Sequence, residues 1–179
     1  MLLQWSAPEY MPHSFQVSGL SGTVGHKQTG NCFDLTKQVA DGFVGMQELS
    51  KGLFLVQSEM AFKRETELYE EYPERKVFQL SFCMNGICEW DYRQKQGEHY
   101  QLSPTQCSLQ CGTFSQCVSH FGSEQPYHTL SISLEEGRFS SLTEDLEAAH
   151  LIRRDYKICT HVFSTTPEIR LVSQQLLDC

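Results

Sequence analysis

What most narrows the fold of this chain is a succession of short apolar runs between residues 52 and 135, each closed by a turn signal. "GLFLVQSEMAF" has β character along its length. "KVFQLSFCM", then Asn85-Gly86, then "ICEWDYRQ" follow. Asn-Gly between two apolar runs calls for a two-residue type I′ hairpin, whose central residues need a backbone that Asn and Gly adopt at little cost. "HYQL", a Ser103-Pro104 turn, "QCSLQC", Gly112, "FSQCVSHF" and "YHTLSISL" continue the series. Short strands at near-regular spacing predict an all-β sandwich or barrel.

After Glu135 the period changes. "SLTEDLEAAHLI" puts Leu142, Leu146 and Ala149 on one helical face, and Ser141 with Glu144 spells a capping box. A strand-like piece, "YKICTHVF", comes next. Thr166 is then a good N-cap, Pro167 suits the first helical position, and Ile169, Val172 and Leu176 recur at helical spacing. This pattern still runs at Cys179 without a stop signal, so the helix is expected to lead into something further. Residues 1–50, with Gly19, Gly22, Gly25, Gly30, Gly42 and Gly45, read as an irregular lead-in with one or two short elements that packs on the barrel. The expected division is lead-in over 1–50, barrel over 51–135 and helical segment over 136–179.

Composition limits the function classes. With 40% hydrophobic and 20% charged residues, the 179-residue chain can build a core. Its net charge of −8 opposes direct contact with nucleic-acid phosphates, which call for a basic patch. No run of about 18 apolar residues spans a membrane, and "MLLQWSAPEYMPHS" lacks the basic and apolar regions of a secretory signal. A cytoplasmic protein is expected. Its eight cysteines (Cys32, Cys83, Cys88, Cys107, Cys111, Cys117, Cys159 and Cys179) are then mostly reduced, buried thiols, and no CxxC pair suggests a zinc ribbon.

The hairpin register sorts residues by face, because cross-strand partners share one. One face holds Gln79, Ser81, Cys83, Cys88, Trp90 and Tyr92; the other holds Phe78, Leu80, Phe82, Met84 and Ile87, with Glu89, Asp91 and Arg93. The second set is core that frays into charge. The first mixes two aromatics with small polar groups, as a ligand-pocket wall does; the alternative is an outer face covered by the N-terminal segment. The register also sets Cys83 opposite Cys88 in a non-hydrogen-bonded pair, with Cα atoms roughly 4.5 Å apart. That is the short edge of disulfide geometry, so these two are redox candidates. Cys107 and Cys111 lie about 13 Å apart along a strand and cannot bond to each other.

The histidines (13, 26, 99, 120, 128, 150 and 161) contain no H-x-H, and no glutamate follows His99 at a workable ligand spacing. His120 and His128 are two potential ligands, too few for a metal site. No G-x-S-x-G and no phosphate loop occurs. A non-enzyme is expected, with no metal and no resident cofactor.

The segment "KVFQLSFCMNGICEWDYRQKQGEHYQLSPTQCSLQCG" resembles the barrel core of the N-terminal regulatory half of AraC/XylS-type bacterial transcription regulators, and "IRLVSQQLLDC" is similar to their linker helix. In the subgroup resembling pyochelin-type siderophore regulators such a helix ends in an aliphatic residue, a spacer and a cysteine, as Leu177, Asp178 and Cys179 do here. The likeness covers roughly residues 50–179. It implies a mainly β, cupin-like (jelly-roll) barrel followed by two amphipathic helices, an effector in the barrel, a homodimer through the helices, and DNA contact only through a C-terminal helix-turn-helix domain absent from this sequence. A ferric siderophore is one effector it suggests. The pocket residues expected on this reading are Phe54, Gln79, Trp90, Tyr92 and His99, with Arg64 as anchor for an anionic ligand or else a solvated partner of Glu65 or Glu67. The dimerisation residues are Leu142, Leu146, Ile169, Val172 and Leu176, which intramolecular packing would use equally well. The rival readings are a cysteine-based redox or metal sensor and a small cupin enzyme.

Overall fold

The structure is a computed structural model that describes residues 2–6, 14–17, 20–23, 31–34, 40–92, 98–123, 125–135, 142, 144–149 and 158–177. The strands are β1 (Leu2–Ser6), β2 (Ser14–Val17), β3 (Leu20–Thr23), β4 (Asn31–Asp34), β5 (Ala40–Ser50), β6 (Leu53–Phe62), β7 (Thr66–Asn85), β8 (Cys88–Tyr92), β9 (His99–Leu102), β10 (Gln106–Phe121), β11 (Pro126–Glu135) and β12 (Ile158–Ser164). A short helix over 144–148 (α1) precedes β12, and α2 spans Pro167–Leu177.

Two long strands organise the rest. The first half of β10 (106–114) pairs with 75–82 of β7, and its second half (116–121) pairs with 66–71. The register shift between Phe114 and Gln116 faces the stretch of β7 that holds Pro73, which has no N–H to give a ladder. Two walls diverge from this bend. One runs β12-β10-β7-β11-β6-β5-β4 and the other β9-β8-β10-β7-β1-β2-β3. Phe62 of the first wall stacks on Phe121 of the second at 4.6 Å, inside a cluster with Ala40, Val44, Met60, Leu68 and Tyr127. The walls therefore face each other as a jelly roll, mainly β with helices at its C-terminal end.

The strands alternate as a two-sided sheet requires. On β7, Phe78, Leu80 and Phe82 point outward. Phe78 packs with Leu109 and Cys111 beneath Leu142 and Leu146 of the α1 segment, and Phe82 with Cys107 and Leu130 beneath Leu176 and Leu177 of α2. Gln79, Ser81 and Cys83 point between the walls.

The structure differs from the sequence reading at two places. Asn85-Gly86 is a turn, with Gly86 at φ +80°, but β7 and β8 are not partners across it: β7 pairs with β11 (Thr129↔Cys83, His128↔Asn85), whereas β8 pairs with β10 and β9. Gly86 carries the chain from one wall to the other because β11 already occupies the β7 edge. The first fifty residues contribute β1–β5, and β5 pairs along its length with β6, so the sheet begins ahead of residue 51. Ser141 of the expected capping box and the end of α2 at Asp178 and Cys179 lie outside the described residues. At the start of α2, Thr166 caps as expected: Ile169 N donates to its Oγ1 at 3.4 Å.

Candidate functional site

The inner faces of the two walls meet at an aromatic and hydroxylic cluster. β8 supplies Trp90 and Tyr92, both buried, and β9 supplies Tyr100, opposite Trp90 on the ladder, and Leu102, opposite Cys88. The Trp90 and Tyr100 rings stack at 5.6 Å and 16°, and Tyr92 meets Tyr100 edge-on at 5.6 Å. Cys83, Cys88 and Cys117 pack into the same cluster. Offset stacking and edge contacts of this kind fix the ring planes.

The opposite wall answers with neutral polar groups. Its ladder sets Thr160, Gln110, Gln79, Ser133 and Phe54 in one row across β12, β10, β7, β11 and β6, and Ser108, Ser81 and Ser131 in the next. Cross-strand partners share a face, so these side chains form one surface. Within it Gln79 Nε2 donates to Ser81 Oγ at 2.9 Å, Ser131 Oγ to Ser81 Oγ at 2.8 Å, Ser133 Oγ to Gln79 Oε1 at 3.4 Å, and Gln110 Nε2 to Ser108 Oγ at 3.3 Å. Tyr92 Oη crosses between the walls and donates to Gln110 Oε1 at 2.9 Å. None of the side chains named in these two rows carries a charge.

Among the described residues, two buried polar atoms at this meeting have no hydrogen-bond partner: Trp90 Nε1 and Thr160 Oγ1. The Thr160 hydroxyl stands near enough to both tyrosine hydroxyls, and the Trp90 indole N–H near enough to that of Tyr92, to lower their pKa, yet none of these is at bonding geometry. Burial is the larger influence. It pushes the Tyr92 phenol far above its ordinary value, and burial together with the Glu98 carboxylate pushes Tyr100 up to about 12. Both are neutral hydroxyls at physiological pH, able to donate or accept.

Cys83 and Cys88 stand with sulfurs 4.0 Å apart, although their strands are not paired. The Cys88 thiol donates toward Cys83 and holds its pKa below the ordinary value against burial, while the same contact and burial push Cys88 up.

The expected pocket residues thus separate. Gln79, Trp90 and Tyr92 converge, and Phe54 lies half-buried at the end of the Gln79 row, opposite Ser133. His99 does not join them: it is exposed on the outer face of β9, its Nδ1 3.0 Å from Asp91 Oδ1. His120 binds the same carboxylate from β10 at 2.6 Å, so alternation places Asp91 and both histidines away from the cluster. Arg64 is exposed on the turn between β6 and β7, where its carbonyl accepts from Thr66 Oγ1 at 2.8 Å. Of the expected dimer residues, Leu142, Leu146 and Leu176 pack half-buried on this chain's own sheet, whereas Ile169 and Val172 are exposed. Gln110, Ser108, Ser131, Ser133, Thr160 and Tyr100 are additions. The signal for most of them was the alternation of Ser or Gln with apolar residues in "FQLSF", "CSLQC" and "LSISL". Among the described residues no group of three or more His, Cys, Asp or Glu side chains could hold a metal ion.

Fold and inner surface together define a cupin-like β domain with a mixed aromatic and polar interior. The family described as "Regulatory protein PchR N-terminal domain" matches residues 41–179. The chain belongs to that family, the N-terminal regulatory domains of AraC-type transcription regulators. No curated protein matches the chain. Among solved structures, ToxT from Vibrio cholerae is similar in fold, with a TM-score of 0.50 at 9% identity over 70% of this chain and 47% of that one, so this chain spans about half of ToxT. EutQ from Clostridium difficile has a TM-score of 0.39 at 10% identity over 70% of this chain and 87% of that chain. Vicilin from Corylus avellana has 0.42 at 12% identity over 85% and 52%. No helix is long and apolar enough to cross a membrane among the described residues.

Proposed function

We propose that this domain binds a small, uncharged, partly aromatic effector between its walls and passes the event to its C-terminal helices, and through them to a DNA-binding domain beyond this sequence. The observation that carries the reading is the pair of buried polar atoms, Trp90 Nε1 and Thr160 Oγ1, that have no hydrogen-bond partner among the described residues, beside stacked aromatic rings. A buried donor without a partner costs about 1–3 kcal/mol. A ligand that offers an acceptor to the indole N–H and a donor or acceptor to Thr160 removes that cost on binding. The neutral rows opposite favour an uncharged ligand, since a buried ion needs a counter-charge. A ferric siderophore fits this reading when its complex is uncharged and carries aryl groups.

Alternation supplies the route outward. On β12, Thr160 points inward while Cys159 and His161 point outward; on β10, Gln110 points inward between Leu109 and Cys111, which meet the α1 segment. A ligand that shifts Thr160 or Gln110 moves their outward neighbours by the same backbone displacement. The effector then favours one packing of the helices, a population shift. The reading is tested with a panel of ferric siderophores and neutral aromatics, scored by thermal stabilisation. At a concentration of 100 Kd a true ligand adds about 2.7 kcal/mol, and Trp90→Phe with Thr160→Val removes the gain. A panel hit that stabilises the double variant equally would place binding elsewhere.

The 4.0 Å separation of the Cys83 and Cys88 sulfurs supports a second reading, a thiol sensor within the same cluster. Titration of free thiols before and after mild oxidant separates the two: an unchanged count removes it.

A further inference from the structure

The outer face of the first wall holds a different group of thiols. Cys111 and Cys159 are directly opposite each other on the antiparallel β10–β12 ladder. Antiparallel partners have Cα atoms about 4.5–5.5 Å apart, within the roughly 4.4–6.8 Å that a disulfide spans. Both are reduced thiols in one cluster, Cys111 without exposure and Cys159 half-buried. Two residues along β12, on the same face, His161 Nε2 lies 3.0 Å from Cys159 Sγ. A thiol with an imidazole at hydrogen-bond distance is the arrangement that makes a cysteine nucleophilic, because the ring takes the proton as sulfur attacks. The site lies under Leu142 and Leu146 of the α1 segment, on the opposite face of the sheet from the Trp90 cluster. Metal binding is the other use of such residues, but no group of three or more ligands among the described residues could hold an ion.

We propose that Cys159, with His161 as its base and Cys111 as its resolving partner, is a peroxide-oxidisable site beneath α1. Cys159 Sγ attacks the terminal oxygen of a hydroperoxide. Its proton passes to His161 and on to the departing alkoxide or hydroxide, leaving a sulfenic acid and an alcohol or water. The Cys111 thiol then attacks the sulfenic sulfur, water leaves, and a Cys111–Cys159 disulfide remains. Two electrons pass from the thiols to the peroxide. Exposure orders the steps, since Cys159 can meet an oxidant and Cys111 can be reached only from within. The bond would tie β10 to β12 directly under the α1 segment, on the outward neighbours of Thr160 and Gln110, and so act on the helical side through the same two strands.

The test treats the reduced chain with hydrogen peroxide and maps its thiols by mass spectrometry after chymotrypsin, which cleaves after Leu109 and Phe114 and thereby separates Cys107, Cys111 and Cys117. A Cys111–Cys159 linked peptide is expected as the first product. His161→Asn is expected to slow its appearance about tenfold or more while the circular dichroism spectrum is unchanged. Cys111→Ser is expected to leave a Cys159 sulfenic acid that dimedone traps. A first product linking Cys83 with Cys88, oxidation of Cys159 no faster than that of Cys107 or Cys117, or a His161→Asn rate equal to the native one would each overturn the proposal.

Discussion

Tyr92 shows how one residue is read at its own scale. Its hydroxyl spends its proton on Gln110 Oε1 across the interior, and its ring closes on Tyr100. Tyr92→Phe keeps the ring and strands the amide oxygen, so the unliganded domain should lose about 1–2 kcal/mol in urea denaturation. Asp91, on the outer face, gives a pH signature. Burial raises its pKa, but hydrogen bonds from His120 and His99 more than offset that and hold it below the ordinary carboxylate value. A lowered folded value contributes stability that is complete above about 3.9 and is lost as pH falls through the folded pKa. In Asp91→Asn, the midpoint of urea unfolding should therefore decline less steeply below about pH 4 than in the native chain; parallel curves would show that the carboxylate adds nothing there. At this scale the sequence was informative about type and poor about surroundings. Trp90 and Tyr92 stood out as aromatics on a polar face. His99 stood out equally, yet one step of alternation sends it to solvent beside Asp91. A residue type announces chemistry; only the register says which side receives it.

Among the elements, the turn at Gly86 holds the chief lesson. Asn-Gly correctly marks a reversal with positive φ, since Gly86 sits at φ +80°. It does not mark whether the flanking strands stay together. That depends on β11, forty residues later, which takes the β7 edge and leaves β8 to β10 and β9. Local turn chemistry carries no information about a competitor so distant in sequence, and the expected hairpin fails for that reason. The alternation in "VFQLSFC" was legible all the same, because it depends only on the strand period. The strands of the first fifty residues were not: β1–β4 are runs of four or five residues, and the eleven of β5, "ADGFVGMQELS", are interrupted by two glycines and show no clean alternation. Gly86→Ala tests the turn. An added Cβ would stand 2.6 Å from the Pro126 carbonyl, in a conformation that alanine resists. A loss of about 1–3 kcal/mol in thermal or urea unfolding is expected, with Cys83 and Cys88 more open to alkylation because the turn holds them together.

For the whole molecule, the remaining question is what α2 does with its apolar residues. Leu176 and Leu177 pack on the Phe82 and Leu130 cluster, and Ser173 is buried with its hydroxyl on the Ile169 carbonyl. The helix is thereby fixed to the sheet by one side. Ile169, Leu171 and Val172 remain 41%, 62% and 54% exposed near its start. Three large aliphatics within four residues are costly to leave in water, at about 25 cal/mol per Å². We propose that a second copy of the chain covers them. Two copies each with a net charge of −8 repel each other, and salt screens that repulsion within about 10 Å at 0.1 M. Association through this apolar face should therefore strengthen as ionic strength rises, the opposite of an interface built on ion pairs. Leu171→Glu with Val172→Glu should give a monomer in light scattering at every salt concentration, and its melting temperature at low protein concentration should match the native one, because neither side chain supports the fold. A native chain that stays monomeric at high concentration and high salt would remove the dimer from this surface, and with it the simplest way for a bound effector to set the spacing of two DNA-binding domains.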